Sequence, residues 1–258
     1  MCIRDRFIYV ESNKILNSFE LRDTLNPKVW DDYTDVNKAS LKKDIKDTLL
    51  SISEQFLNFV GIDVIISDIV LMGSLSNYNW SEFSDFDLHL IADFNQFPKE
   101  QHELYTELFD LKKTLFNLKH DIKIKGFDVE LYLQDENAEA FSDGVYSIIN
   151  NEFISKPSKN IKDINKELIK TKAKQWMQII DDCIEQAEDE DLEKSQETLK
   201  KCYKKIKKGR QSGLEKGGEF SIENLVFKYL RRNGYIGKLL EIRDKLLDKK
   251  LSIENRDI

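Results

Sequence analysis

The sequence predicts an α+β fold: a mixed β-sheet flanked by helices in the first half, followed by an all-helical second half. Three observations predict it. Runs at 68–72, 85–91 and 127–133 are short and apolar or strictly alternating, the pattern of buried or half-buried strands. Between them lie longer stretches with apolar residues every three or four positions, the period of a helix. Beyond the polar segment Lys156-Pro-Ser-Lys-Asn160 the strand pattern stops while the helical one continues, which makes that segment the boundary.

Residues 1–35 read as an irregular extension with an Asn26-Pro27 turn and Trp30. The opening Met1-Cys-Ile-Arg-Asp-Arg6 has the look of a translated adapter remnant, so the first residues are expected to be non-native and carry no weight. A mixed α and β unit is expected over 36–156 and a helical unit over 157–258. The first helix should run from about Val36 to Val60, with Leu41, Ile45, Leu49, Ile52, Phe56 and Val60 on one face and Gly61 as its stop. Strands ending at Met72 and starting at Asp85 follow. A second helix, about 98–119, carries Leu104, Leu108, Leu111, Leu115 and Leu118. That stripe reads as the core-facing side of a helix packed on the sheet rather than a coiled-coil seam. Hairpins are expected around Gly126 and around Asn150-Asn151. In the second half, helices are predicted over 161–187, with Ile164, Leu168, Trp176, Ile180 and Ile184 at helical spacing, and from Leu192 through Ile206. The acidic turn Glu188–Asp191 suits the N-terminus of the latter helix. A glycine-rich loop over 209–218 should lead to Ser221 as N-cap of a helix ending near Asn233, and a last helix spans about 237–249.

Composition excludes several classes. The chain has 258 residues, and its 40 Lys and Arg against 47 Asp and Glu give a net charge of −7, which argues against general coating of nucleic acid. No apolar stretch has membrane-spanning length, and no signal peptide is expected, since only four apolar-leaning residues separate Arg6 from Glu11. Cys2, Cys183 and Cys202 lack metal-ligand spacing and read as reduced thiols of a cytoplasmic protein.

The chemistry lies in three short motifs. The strand ending at Met72 feeds Gly73-Ser74, where the missing Cβ lets a phosphate approach the backbone amides and the Ser74 hydroxyl adds a donor. Asp85-Phe-Asp-Leu-His-Leu-Ile91 alternates, so Asp85 and Asp87 share one face while Phe86, Leu88 and Leu90 point into a core. Two carboxylates on one strand face repel each other, and a divalent cation offsets that repulsion, with oxygen-only ligation suiting Mg²⁺ shared with phosphates. A third acid comes from Phe127-Asp-Val-Glu-Leu-Tyr-Leu133, and spacing alone leaves Asp128 and Glu130 both open.

These residues resemble the nucleotidyltransferase superfamily typified by DNA polymerase β, whose pattern is a hydrophobic-Gly-Ser turn, an Asp-x-Asp strand and a later hydrophobic-acid-hydrophobic strand. A closer similarity is to the predicted nucleotidyltransferases of large tailed bacteriophages. It is carried by Gly73-Ser-Leu-Ser-Asn-Tyr-Asn79, Ser84-Asp-Phe-Asp-Leu-His89, Val129-Glu-Leu-Tyr-Leu-Gln134 and Gly218-Glu-Phe-Ser-Ile-Glu-Asn-Leu-Val-Phe-Lys228, and it covers the chain from about Leu25 onward. The resemblance implies a nucleotidyltransferase-type sheet over 36–156 and a helical domain closing over the nucleotide. It implies that Gly73 and Ser74 hold a triphosphate such as ATP, that Asp85 and Asp87 bind two Mg²⁺ ions (or Mn²⁺), and that Glu130 is the third ligand, beside which the attacking hydroxyl loses its proton. The implied reaction moves a nucleoside monophosphate from a nucleoside triphosphate to a hydroxyl acceptor, RNA among the candidates, and releases pyrophosphate. A phage origin would put the protein in the host cytoplasm.

Between Lys200 and Lys238 there are twelve Lys or Arg against three Glu in an otherwise acidic chain. Asn224, Lys228 and Arg231 fall on one helical face, a candidate clamp for the triphosphate, with an exposed basic surface as the plainer reading. The run Lys204–Arg210 reads as a surface patch or a track for a nucleic-acid acceptor. His89 shares the face of the two aspartates and reads as a hydrogen-bonded structural histidine, and Tyr78, Asn79 and Trp80 either border a base pocket or shape the loop. The alternative function is a catalytically silent protein of the same fold that binds nucleic acid through the basic segment or senses nucleotide.

Overall fold

The computed structural model describes residues 13–138, 143–159, 164–189 and 191–252. Cys2, the opening residues and the expected helix start at 161–163 lie outside them. The described residues fall into two compact units, one within Glu20–Asn160 and one drawn from Met1–Phe19 and Ile161–Ile258.

The first unit is built on a six-stranded mixed sheet. Its strands are β3 (Ile66–Met72), β4 (Asp85–Ala92), β5 (Lys123–Ile124), β6 (Phe127–Asp135), β7 (Val145–Ser147) and β8 (Glu152–Ser155), in the order β5-β6-β4-β3-β7-β8. β4 lies inside the sheet, antiparallel to β3 and parallel to β6. Its alternation is obeyed: Phe86, Leu88 and Leu90 are fully buried, and Asp85, Asp87 and His89 occupy the opposite face. Both expected hairpins form, β5 with β6 and β7 with β8. A two-stranded ribbon, β1 (Trp30–Asp31) and β2 (Ser40–Leu41), precedes them. Trp30 is buried and donates its indole N–H to the Leu75 carbonyl at 2.8 Å, so residues around it pack as part of this unit.

Helix α1 spans Lys43–Val60, shorter at its start than the expected 36–60. Asp35 explains the difference, because its carboxylate accepts from the Asn37 amide at 3.1 Å and turns the chain before Ser40 and Leu41 pair with β1. The predicted apolar face is buried from Ile45 to Val60, and Gly61 ends the helix as expected.

Helix α2 (His102–Lys119) reverses an expectation. The leucine stripe does not face the sheet: Leu104, Leu111, Leu115 and Leu118 are exposed, whereas Phe109 and Phe116 are buried. The aromatic side chains bury more area each than a leucine. Phe116 meets Phe56 and Phe59 edge-on at 5.2 and 5.4 Å, and the Asn117 amide exchanges two bonds with the Leu131 backbone of β6. Together these set the rotation of the helix.

The second unit contains α3 (Lys166–Asp189), α4 (Leu192–Gly217), α5 (Ile222–Arg232) and α6 (Tyr235–Leu251). On α3 the buried positions are Ile169, Ala173, Ile180, Ile184 and Ala187, while Leu168 is exposed. Asp191 caps α4, accepting from the amides of Glu193 and Lys194 at 3.1 and 3.0 Å. The expected glycine-rich loop is instead the last turns of α4. Gly213 lies where a Cβ would come within 2.8 Å of both Ser221 and Glu223, so its smallness serves close packing of α4 on the start of α5 rather than a turn. Ser221 caps α5 through the Asn224 amide, as predicted. Among the described residues no helix is long and apolar enough to cross a membrane.

Candidate metal centre

β3 ends at Met72, which pairs with Asp87 across the antiparallel ladder. The next residue, Gly73, has φ +77 and ψ −157, a backbone that side chains rarely tolerate, and opens a short 3₁₀ turn over Ser74–Ser76. The turn is pinned from below. Ser76 is fully buried and its hydroxyl donates to the carbonyls of Gly73 and Gly144 at 3.0 and 2.7 Å. Ser74 donates to the Ser84 hydroxyl at 2.7 Å, and Ser84 in turn accepts from the Ser81 amide at 2.9 Å. The loop between turn and β4 is thereby held at both ends.

Register brings both acids of β6 opposite an aspartate of β4. In the parallel ladder of β4 and β6, Asp87 is opposite Glu130 and Asp85 opposite Asp128. Carboxylate oxygens of Asp85, Asp87 and Glu130 all lie within 4.8 Å of one another, the group among the described residues able to hold a metal ion. Asp128 stands apart, ion-paired with Lys123. Of the three, Asp85 and Asp87 are half-buried and Glu130 is exposed. Such a set of hard oxygen donors fits a divalent cation such as Mg²⁺ or Mn²⁺.

Comparisons with known proteins add little to this geometry. No protein-family model and no curated protein matches the chain. A solved structure, the STING-associated CdnE c-di-GMP synthase from Capnocytophaga granulosa, aligns over 92% of this chain and 99% of its own at 12% identity, with a TM-score of 0.23. At that score the superposition decides neither fold nor function.

Sequence reasoning missed the support behind the third acid. Tyr132, two residues along the same face of β6, donates its hydroxyl to Glu130 Oε2 at 2.7 Å. Its ring stacks on His89 at 4.5 Å, and His89 Nδ1 is 2.8 Å from Gln134 Oε1. Burial, then the bond to Glu130 and the negative charges of the three acids, push the Tyr132 phenol well above its ordinary range, so it is a donor at any working pH. Burial pulls the His89 imidazole down, which together with its bond to Gln134 bears out its reading as a structural histidine. The alternation on β6 was the available signal for Tyr132. Tyr78 is buried with Lys159 over its ring at 4.7 Å, and Trp80 donates to the Thr24 carbonyl at 2.8 Å, so both shape the loop.

The remaining predicted residues belong to the helical unit. Asn224 is almost completely buried, accepts from Arg210 Nε at 3.1 Å and donates to the Glu219 carbonyl at 2.6 Å. Lys228 pairs with Glu219 at 2.7 Å, and Arg231 is exposed. Arg210 was read as part of a surface patch, yet it is half-buried and lies over the Phe227 ring at 4.5 Å. Burial and the like charge of Arg231 lower its pKa, so the two guanidiniums repel each other.

Proposed function

We propose that this chain is a divalent-metal-dependent nucleotidyltransferase, moving a nucleoside monophosphate from a nucleoside triphosphate to a hydroxyl acceptor and releasing pyrophosphate. One observation carries the reading: three carboxylates from adjacent parallel strands converge within 4.8 Å, with Asp87 packed directly on the Gly73 turn. Neither half of that arrangement is as informative alone. An acidic cluster without a phosphate cradle suits many cations, and a Gly-Ser turn without acids suits many anions.

Asp85, Asp87 and Glu130 would hold the metal. When bound, a divalent cation neutralises phosphate charge and lowers the pKa of a coordinated hydroxyl. The chain's own residues supply the rest. Gly73 leaves its backbone open to the phosphates, and the Ser74 hydroxyl, which donates to Ser84, would turn from that bond to donate to them. The acceptor oxygen forms its bond to the α-phosphorus as the bond to pyrophosphate breaks. Glu130, the most exposed of the three and held by Tyr132, would face the acceptor. Donor binding by Asn224, Lys228 and Arg231 is the sequence-based part of the proposal: Asn224 is buried against Arg210 and Glu219, Lys228 is paired with Glu219, and Arg231 is exposed.

Incubation with each α-phosphate-labelled nucleoside triphosphate, Mg²⁺ or Mn²⁺, and a cell lysate as acceptor source tests the reading. Label should pass to an acceptor with release of pyrophosphate, and both should vanish in Asp85→Asn. Arg231→Ala should raise the donor KM with little change in kcat. No transfer and no pyrophosphate with any triphosphate would remove the proposal.

A further inference from the structure

Helix α2 carries two distinct faces. Phe109 and Phe116 point into the core, while Leu104, Leu108, Leu111, Leu115 and Leu118 line a second face about 130° around the helix. Leu104, Leu111, Leu115 and Leu118 are 61, 68, 44 and 80% exposed, and Leu108 is half-buried. A single exposed leucine needs no explanation, but a continuous row along a helix marks an interaction surface. The steps between these leucines are four, three, four and three residues. That is the a/d spacing of a helix seam built to receive another helix, knobs into holes.

We propose that α2 is a self-association helix, packing its Leu104–Leu118 seam in parallel and in register against the same seam of a second copy of this chain. The seam is chemically uniform, so each leucine layer is matched by an identical layer from the second copy, as a two-fold interface requires. The flanking charges select the partner and its direction. Placing leucines at a and d puts Glu107 at g and Lys112 and Lys119 at e. In a parallel pair the g residue of one helix meets the e residue five positions on in the other, so Glu107 faces the second copy's Lys112 twice across the axis. An antiparallel pair would set lysine-bearing e positions against each other. Glu107 is exposed, and Lys112 is half-buried with its ammonium 3.4 Å from the Phe59 carbonyl, a long bond that a carboxylate would improve on. This inference stands independently of the metal centre.

Sedimentation equilibrium of the full chain over about 1–100 µM is the test. The expected mass is that of two chains. Leu111→Lys with Leu118→Lys should give the mass of one chain, at least roughly 100-fold weaker association, with unchanged circular dichroism and a melting temperature that no longer rises with protein concentration as the wild type's does. Glu107→Lys alone, which sets lysine against lysine, should weaken association about tenfold. A wild type that stays at the mass of one chain, or a double variant that still pairs, overturns the proposal. Unchanged association of Glu107→Lys overturns the parallel register.

Discussion

Gly73 and Asp87 touch so closely that no side chain fits on the glycine: a Cβ built there would lie 1.9 Å from an Asp87 carboxylate oxygen. The contact follows from the ladder, because Met72 is the last residue of β3 to pair with β4 and its partner is Asp87. The Gly73 turn and the central carboxylate of the acidic cluster are therefore one structural feature. Gly73→Ala should lower stability by about 1–3 kcal/mol through the positive φ alone. It should also push Asp87 out of the carboxylate cluster and cut pyrophosphate release by at least roughly 10². Urea unfolding and a turnover assay on the same preparation check both. Normal turnover would separate the turn from the site.

The three acids are close enough to repel one another until a cation joins them, which makes an opposite-signed pair of expectations for Asp87→Asn. Without divalent metal the variant should melt above the wild type, since one negative charge is gone. With Mg²⁺ the wild type should gain stability, about 2.7 kcal/mol at a hundredfold excess over the dissociation constant, and the variant little. Melting curves with and without Mg²⁺ read this directly. A cluster that binds no cation would leave the wild type's melting unmoved by Mg²⁺.

Tyr132 donates its hydroxyl to one oxygen of an otherwise exposed glutamate, which under the proposed function makes it a positioning residue. Tyr132→Phe keeps the stack on His89 and removes only that bond. The apparent Mg²⁺ requirement should rise about tenfold, the scale of lost support for a metal ligand, while kcat at saturating metal falls only a few-fold. A merely structural tyrosine would lower the melting temperature and leave the metal requirement unchanged.

How far the sequence was legible depended on whether a feature is local or set by pairing. Alternation along Asp85–Ile91 and Phe127–Leu133 is local, so the core side and the acid side of β4 and β6 could be read directly. The choice between Asp128 and Glu130 is not local. It rests on which carboxylate reaches the Asp85–Asp87 pair and on Lys123 occupying Asp128. The α2 stripe misled because helical period reveals that a face is apolar, not which of two apolar faces is buried; Phe109 and Phe116 won that competition. The glycines over 209–218 misled for a similar reason, since Gly213 serves a tertiary contact with Ser221 that no local pattern reports.

Cys202 links stability to alkaline pH. The residue is buried on α4, and burial, followed by its bond to the Cys183 thiol, pushes it up to about 12 from an ordinary 9.0. As pH rises past about 9 the unfolded chain loses this proton while the folded chain keeps it, so the native state binds more protons and stability falls until the folded thiol itself ionises. Above pH 9 and below 12 the loss from this group should reach about 1–2 kcal/mol by pH 10.5. Cys202→Ser should therefore lose less stability than the wild type between pH 8 and 10.5, measured as the shift in urea midpoint, with the tyrosines common to both chains cancelling. Burial holds the folded Cys202 thiol protonated at pH 8, so iodoacetamide should modify it far more slowly than a free thiol. Rapid labelling of Cys202 in the folded chain, or equal alkaline losses in the two proteins, would contradict the buried thiol.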